Sequence, residues 1–540
     1  MRRKSFADIT AYMIYAYLIF MMTAVPLYMK DGYNEIGEAK YWLFFYGTII
    51  FISAVAVSFV IHMMLHVCEH TAWNLADVLM LLFTILTVVS YILSPVSGKS
   101  MTGEDGCLDC IYSFFIPVSG KSMTGEDGWH MGFLTQLLIS AVYFIISFSG
   151  KELLENKRLG RITYLISIAV MTFISVIIVM NRFGFRLPGT GESDSTFIST
   201  MGNNDWYMGF WSVTSPLAII VCIVKKNKDR IEQVISYAAV YMSLLSALLQ
   251  GSESIVLPMV AVSVFLLIIS AGQEEYAGEI ANVLYIGVGA AATIRVLAII
   301  FPLMLNYYSA VTRFLSRSDI MIVIFIVMTA AVFVSPFICK KKIRPAAARF
   351  IARGGIYFIA AISAAAVICI VLIIVNTVTG GIRPIADIAI FRFNDDWGNS
   401  RGFIWKISWN AFTDSSFIRK MFGSGPDGFA GYMYGDAGTS QKLFLRFGNA
   451  RLTNAHNTIM TMLIDNGIAG TSVFVLFFLN LLGKACKDMK KNPILYVCIA
   501  SLIGYVSCNI TGFHTVLNTP YAYIVMGITA CVCKCTDGHV

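Results

Sequence analysis

IYFIAAISAAAVICIVLIIVNTV, running from Ile356 to Val378, carries no charged side chain over a length at which about 20 apolar residues suffice to cross a hydrocarbon core. A helix of this composition is apolar on every face, so the bilayer is its solvent. Comparable runs recur along the chain, beginning near Phe6, Tyr41, Trp73, Met131, Ile162, Gly209, Val234, Ile255, Ile280, Ile320, Ile356, Thr458, Pro493 and Tyr521. Over all 540 residues, 57% are hydrophobic and 13% charged. A soluble domain would carry about 25% charged residues. The expected fold is therefore an all-α polytopic membrane protein of about 12–14 transmembrane helices with one large extracytoplasmic loop. Met1-Arg2-Arg3-Lys4 ahead of the first run could open a signal peptide, but no small-residue cleavage site follows Pro26, and the run is read as a retained helix.

Charge orients the spans. Arg2-Arg3-Lys4, Lys157-Arg158 with Arg161, Lys225-Lys226, Lys340-Lys341-Lys342 and Lys490-Lys491 all fall on one side if the runs alternate, and the positive-inside rule makes that side cytoplasmic. The acidic Gln273-Glu274-Glu275 loop carries little topological weight. The net charge of +8 is thus explained by membrane orientation rather than by a nucleic-acid partner. Many of the twelve cysteines, among them Cys222, Cys369 and Cys498, lie inside apolar runs as small hydrophobes and imply no disulfide framework. Three longer segments land outside: Ser94 to His130, Asn181 to Tyr207, and Thr379 to His456. The expected organisation is a multi-span region over 1–378, a large outer loop over 379–457 carrying the site, and C-terminal helices over 458–540.

The first outer segment contains PVSGKSMTGEDG twice, at Pro95–Gly106 and Pro117–Gly128. A perfect copy without a longer repeat architecture reads as a recent duplication or an assembly error, not a functional device. Cys107 and Cys110 between the copies form a lone C-x-x-C, a weak metal or redox signal. His62, His66 and His70, spaced by four, share a helix face at the cytoplasmic end of the second span, with Cys68 and Glu69 nearby; there a structural reading outweighs a zinc site. Cys531, Cys533 and Cys535 alternate near the C-terminus and are either acylated or inert. Gly467 and Gly470 are read as allowing close helix packing.

The large outer segment holds nine basic side chains against six acidic ones, which suits an anionic ligand as well as a surface beside lipid head groups. Within it stand Asn399-Ser400-Arg401-Gly402-Phe403-Ile404-Trp405, then Gly423-Ser424-Gly425-Pro426, then Asn454-Ala455-His456-Asn457, followed at once by a span with Asp465-Asn466-Gly467-Ile468-Ala469-Gly470. This order resembles the C-terminal signature of the O-antigen ligase and O-antigen polymerase family: an R-G-x-x-W segment, a G-x-G-P turn, and an H-N pair opening a helix with an acidic residue and paired glycines. The resemblance implies transfer of a glycan from an isoprenoid-diphosphate carrier to an acceptor hydroxyl, on the outer face of the membrane, with inversion and without metal or other cofactor. The chemistry fits the residues. A diphosphate leaving group needs its charge neutralised, which a guanidinium does with a permanent charge and forked hydrogen bonds, and Arg401 is the candidate. The acceptor hydroxyl must lose a proton, and His456 is the candidate general base.

The family also carries a second arginine in a Ser-Arg pair at an outer helix end. The corresponding place here reads Gln250-Gly251-Ser252-Glu253-Ser254, where Glu253 reverses the charge. Arg186, Arg446 and Arg451 remain as diphosphate contacts, with Arg186 preferred over the others because its loop ends in Gly202-Asn203-Asn204, which also resembles a family segment. Expected partners are a lipid-linked oligosaccharide donor, a glycan or lipid acceptor, membrane lipids and polysaccharide-assembly proteins. A flippase or transporter for lipid-linked saccharide, and a non-catalytic assembly scaffold, are the competing readings. The first predicts ionisable residues along a central path and two similar halves; here the polar residues gather in one outer loop.

Overall fold

The computed structural model describes residues 6–64, 72–94, 130–190, 196–225, 230–305, 309–338, 343–381, 383, 385–386 and 388–537. The duplicated segment, Cys107, Cys110, His66, Cys68, Glu69 and His70 lie outside them. Every one of the fourteen apolar runs is helical. The first nine are α1 (Phe6–Leu27), α2 (Ile36–Met64), α3 (Leu75–Ile92), α4 (Phe133–Ser147), α5 (Lys157–Arg182), α6 (Asn204–Val224), α7 (Arg230–Leu249), α8 (Val256–Gly272) and α9 (Ala277–Ile300). After α10 (Ala310–Arg317) come α11 (Ile320–Ile338) and α12 (Ile343–Val378). The large loop segment folds as α13 (Trp397–Thr413), α14 (Phe417–Phe422), α15 (Phe429–Gly435) and α16 (Ala437–Phe447), and after it come α17 (Thr458–Asp488), α18 (Ile494–Cys508) and α19 (Thr519–Thr536).

Ten of the described helices are long and apolar enough to cross a membrane, eleven if α10 and α11, which meet at 64°, count as one broken span. The apolar helices α4 and α18 are shorter. The stretch Ile356–Val378 lies in α12, whose described apolar side chains, such as Ile368 and Ile370, are largely exposed, as a lipid-facing helix requires. Near its end Asn376 Nδ2 donates to the carbonyls of Ile385 and Phe391, turning the chain into the large loop segment.

One continuous apolar core joins the N-terminal spans to α17–α19, with α6 buried along almost its whole length. Charge inside the bundle is paired. Lys534 of α19 lies 2.7 Å from Asp77 at the start of α3, and Asp77 also accepts from the hydroxyls of Tyr143 and Ser147 on α4, so three helices are tied at one end by a buried pair whose hydrogen bonds are filled. His62 bonds the Ser58 carbonyl of its own helix at 2.7 Å. Cys531 and Cys533 are buried, and Cys531 Sγ donates to the Gly150 carbonyl, which removes both from surface chemistry.

The helices α13 to α16 have a core of their own, built from Ile404, Ile407, Phe412, Phe429, Met433 and Leu443 with Ile464 of α17. They lock onto the membrane part through a break in α17. At Gly467 (φ +66°, ψ −174°) the helix leaves its hydrogen-bond ladder, and the freed carbonyls of Ile464 and Asp465 accept from the Ser424 and Gly425 N–H groups at 2.8 and 3.0 Å. Ser90 Oγ of α3 donates to the Asp465 carbonyl as well. A Cβ at Gly467 would stand 2.4 Å from the Met421 backbone, and one at Gly423 2.2 Å from the Asp465 carbonyl oxygen. Gly467 thus serves a backbone-to-backbone contact between turn and kink, a closer approach than helix–helix packing requires, and must be glycine for its dihedral too, whereas a Cβ at Gly470 would meet the Asn466 side chain of the same helix.

Candidate active site

The R-G-x-x-W segment opens α13, and its backbone explains its composition. Gly398, Asn399 and Ser400 all have positive φ, a left-handed turn that only glycine and short polar residues tolerate without large cost. Arg446 braces this turn: its Nη2 lies 2.5 Å from Asp396 Oδ1 and 2.9 Å from Ser400 Oγ. Gly402 follows Arg401 because the Asn394 carbonyl oxygen would sit 1.9 Å from a Cβ there. One turn on, Trp405 Nε1 donates to the Ala455 carbonyl at 3.1 Å. Since residues four apart lie on one helix face, the Arg401–Trp405 spacing brings the guanidinium and the residue before His456 to the same side.

His456 sits in a tight turn. Its φ is +48°, its N–H donates to Asn454 Oδ1 at 2.9 Å, and Asn457 caps α17 by accepting from the Met460 N–H. The segment from Asn509 to Phe513, between α18 and α19, forms the facing wall. Thr511 carbonyl accepts from Arg401 Nη2 at 2.9 Å, the Asn509 carbonyl accepts from the Thr458 N–H at 3.0 Å, and the Phe513 ring meets the imidazole edge-on at 5.3 Å. Among the described residues the His456 ring makes no hydrogen bond. His514 contrasts with it: the half-buried His514 ring bonds Tyr505 and Thr519 and serves as a bridge.

Arg401 donates Nη1 to the Gly398 carbonyl and Nη2 to that of Thr511, while its Nε–H is buried without an acceptor. Three of the five guanidinium hydrogens are therefore uncommitted to protein. Burial pushes Arg401 below its ordinary value, opposed by the charge of Asp205. Burial also pushes His456 down to about 4, with the Arg401 charge adding to the effect and Asp205 opposing it. At neutral pH the imidazole is consequently uncharged and able to accept a proton.

Asp205 is the member of this group that the sequence reading passed over. It lies in the first turn of α6, directly after the Gly202-Asn203-Asn204 segment, where Asn203 caps the helix by accepting from the Asp205 N–H. Its carboxylate acts on both Arg401 and His456 and has no ion-pair partner among the described residues. The available signal was an acidic side chain at the mouth of a span, within a segment already singled out.

The other arginines lie differently. Arg186 is exposed and acts on the Tyr33 hydroxyl. Arg446 is held against the turn before Arg401, and Arg451 lies over the Tyr434 ring at 5.4 Å. Glu253, the charge reversal, accepts from the Ala310 N–H at 2.9 Å and so serves the start of α10. Beside it, Arg182 of α5 donates to the Leu249 and Gln250 carbonyls at the end of α7. The place expected to hold a second arginine is thus approached by a buried one from another helix, fixed on backbone carbonyls. Behind the site, Asp427, Asn454, Asp465 and His514 line a polar cavity of about 30 Å³, room for a water molecule. Among the described residues no group of three or more His, Cys, Asp or Glu stands close enough to hold a metal ion.

No curated protein matches the chain significantly. Residues 306–475 match the family model described as O-antigen ligase, a region that contains Arg401, His456 and the Gly467 kink and leaves Asp205 outside. Over that region, about a third of its length, the chain is similar to the O-antigen ligase family.

Proposed function

We propose that this protein moves a glycan from an undecaprenyl-diphosphate-type carrier to an acceptor hydroxyl, as a polymerase or ligase of surface polysaccharide, without a metal. The observation that carries the reading is the placement of Arg401 and His456 against one wall, where the Thr511 carbonyl holds the guanidinium and the Phe513 ring meets the imidazole, with the Arg401 Nε–H uncommitted and the Asp205 charge acting on both. The acceptor oxygen bonds to the anomeric carbon as its proton passes to a His456 ring nitrogen. The bond from that carbon to the diphosphate oxygen breaks, and the electron pair stays on the diphosphate, where Arg401 meets the charge. Asp205 stabilises the imidazolium, which then releases its proton to solvent. Arg446, Arg186 and Arg451 supply further positive potential for the carrier phosphates. The test is transfer by purified protein from an isoprenoid-diphosphate oligosaccharide, with chelator present. Growth of the lipid-linked chain assigns a polymerase and delivery to a separate acceptor assigns a ligase; no transfer to either rejects the reading.

On this reading the site faces the extracytoplasmic side, because Lys225 and Lys490-Lys491 follow the far ends of α6 and α17, whose other ends carry Asp205 and His456. A cysteine at the exposed Gln441 of α16, in a chain whose reactive native cysteines are replaced, should label with a membrane-impermeant thiol reagent in intact cells stripped of any outer barrier. Labelling confined to lysed cells would reverse the orientation.

A further inference from the structure

At the far end of the bundle from Asp205, about 30 Å along α6 by helix rise, a cavity of about 830 Å³ opens between α1, α5, α6, α18 and α19. Its wall is apolar in effect, because most of the hydroxyls lining it are satisfied by protein. Tyr15 donates to the Leu153 carbonyl, Tyr164 to Ser236, Ser167 to the Thr163 carbonyl and Thr214 to the Phe210 carbonyl. Such a wall offers nothing to a sugar or an ion and favours a hydrocarbon occupant. The rim is different. Lys157, Arg161 and Lys225 stand there with a single carboxylate, Glu232, which is buried and pairs with Arg161 and Lys225. Lys157 is exposed and has no ion-pair partner among the described residues. One turn and a half inward on α5, the Thr163 hydroxyl is buried without a hydrogen-bond partner.

An apolar chamber whose mouth has two positive charges in excess, at the level where a helix leaves the membrane, is complementary to an amphiphile with an anionic head. We propose that it is a lipid site, holding an acyl chain of an anionic phospholipid from the leaflet opposite the active site, with the phosphate at Lys157 and the glycerol ester region at Thr163. The proposal does not rest on the transfer chemistry and stands or falls separately from it.

The test is native mass spectrometry of the purified, delipidated full chain titrated with phosphatidylglycerol or phosphatidylcholine. One phosphatidylglycerol should be retained with roughly fivefold preference, the discrimination that one basic residue near an anionic surface supplies. Lys157→Gln should abolish the preference, whereas Arg158→Gln, on the exposed neighbour that does not line the cavity, should keep it. Leu217→Trp should remove the bound lipid by filling the chamber, and Val497→Trp, from the opposing wall, gives the same test if the first variant does not fold. Equal retention of the two lipids, or retention unaffected by a folded tryptophan variant, would overturn the site. One-for-one displacement of the phospholipid by a long-chain isoprenyl phosphate at lower concentration would overturn the assignment to phospholipid.

Discussion

His456→Asn should lower the turnover of glycan transfer by about 10²–10⁴-fold, the range that a positioned general base contributes. Asparagine is the informative substitution because His456 has φ +48°, a conformation asparagine adopts readily and alanine does not. The ring makes no hydrogen bond among the described residues, so the loss falls on chemistry and not on the turn. The pH profile gives the sign. A base must be unprotonated, so activity falls as pH drops through its pKa, and in the free protein that value lies near 4, below an ordinary histidine. The acidic limb of kcat/KM should therefore lie well below pH 6.5, the ordinary histidine value. Diphosphate on Arg401 cancels one of the two influences that depress His456, so the acidic limb of kcat should stand higher than that of kcat/KM. Asp205→Asn removes the charge that opposes them, moves the limb of kcat/KM further down and lowers kcat. Turnover near wild type in His456→Asn, or a profile unmoved by Asp205→Asn, would remove the base from His456.

The spans were legible because hydrocarbon imposes a length and a composition that no soluble helix needs, and all fourteen starts fall in or beside an observed helix. In the segment between α12 and α17 the motifs were legible but the structure was not. Its helices are short, α14 to α16 running six to eleven residues, and their stability comes from packing onto Ile464 and onto one another, which periodicity does not reveal at that length. The interlock of Gly423 with the Gly467 kink joins residues more than forty positions apart, so the sequence shows two glycine motifs without showing that each is the other's partner. Asp205 was missed for a similar reason: it comes from a helix some two hundred residues ahead of the motifs and outside the matched region. Glu253, which stands where the family resemblance leads one to expect an arginine, is tied to the start of α10.

Arg401→Lys should lose about 2–4 kcal/mol of transition-state stabilisation, a fall of roughly 30- to 1,000-fold in kcat/KM, despite keeping the charge. The reason lies in how many tasks the guanidinium performs at once. Two of its hydrogens go to the Gly398 and Thr511 carbonyls, which tie the left-handed turn of α13 to the wall between α18 and α19. The Nε–H and the second hydrogen on each terminal nitrogen remain for phosphate oxygens. An ammonium has three donors on one atom, so it either keeps the two carbonyls and offers a single hydrogen to the diphosphate, or binds the anion and releases the wall. Lysine retains the positive charge beside His456, so the acidic limb of the pH profile should stay low, whereas Arg401→Gln should raise it toward an ordinary histidine by removing one of the two depressing influences. The two variants therefore separate the functions of the residue: both lose the fork, and only one loses the field. Near-normal transfer by Arg401→Lys would show that point charge alone serves the leaving group, and an identical pH profile in the two variants would show that Arg401 does not set the basicity of His456.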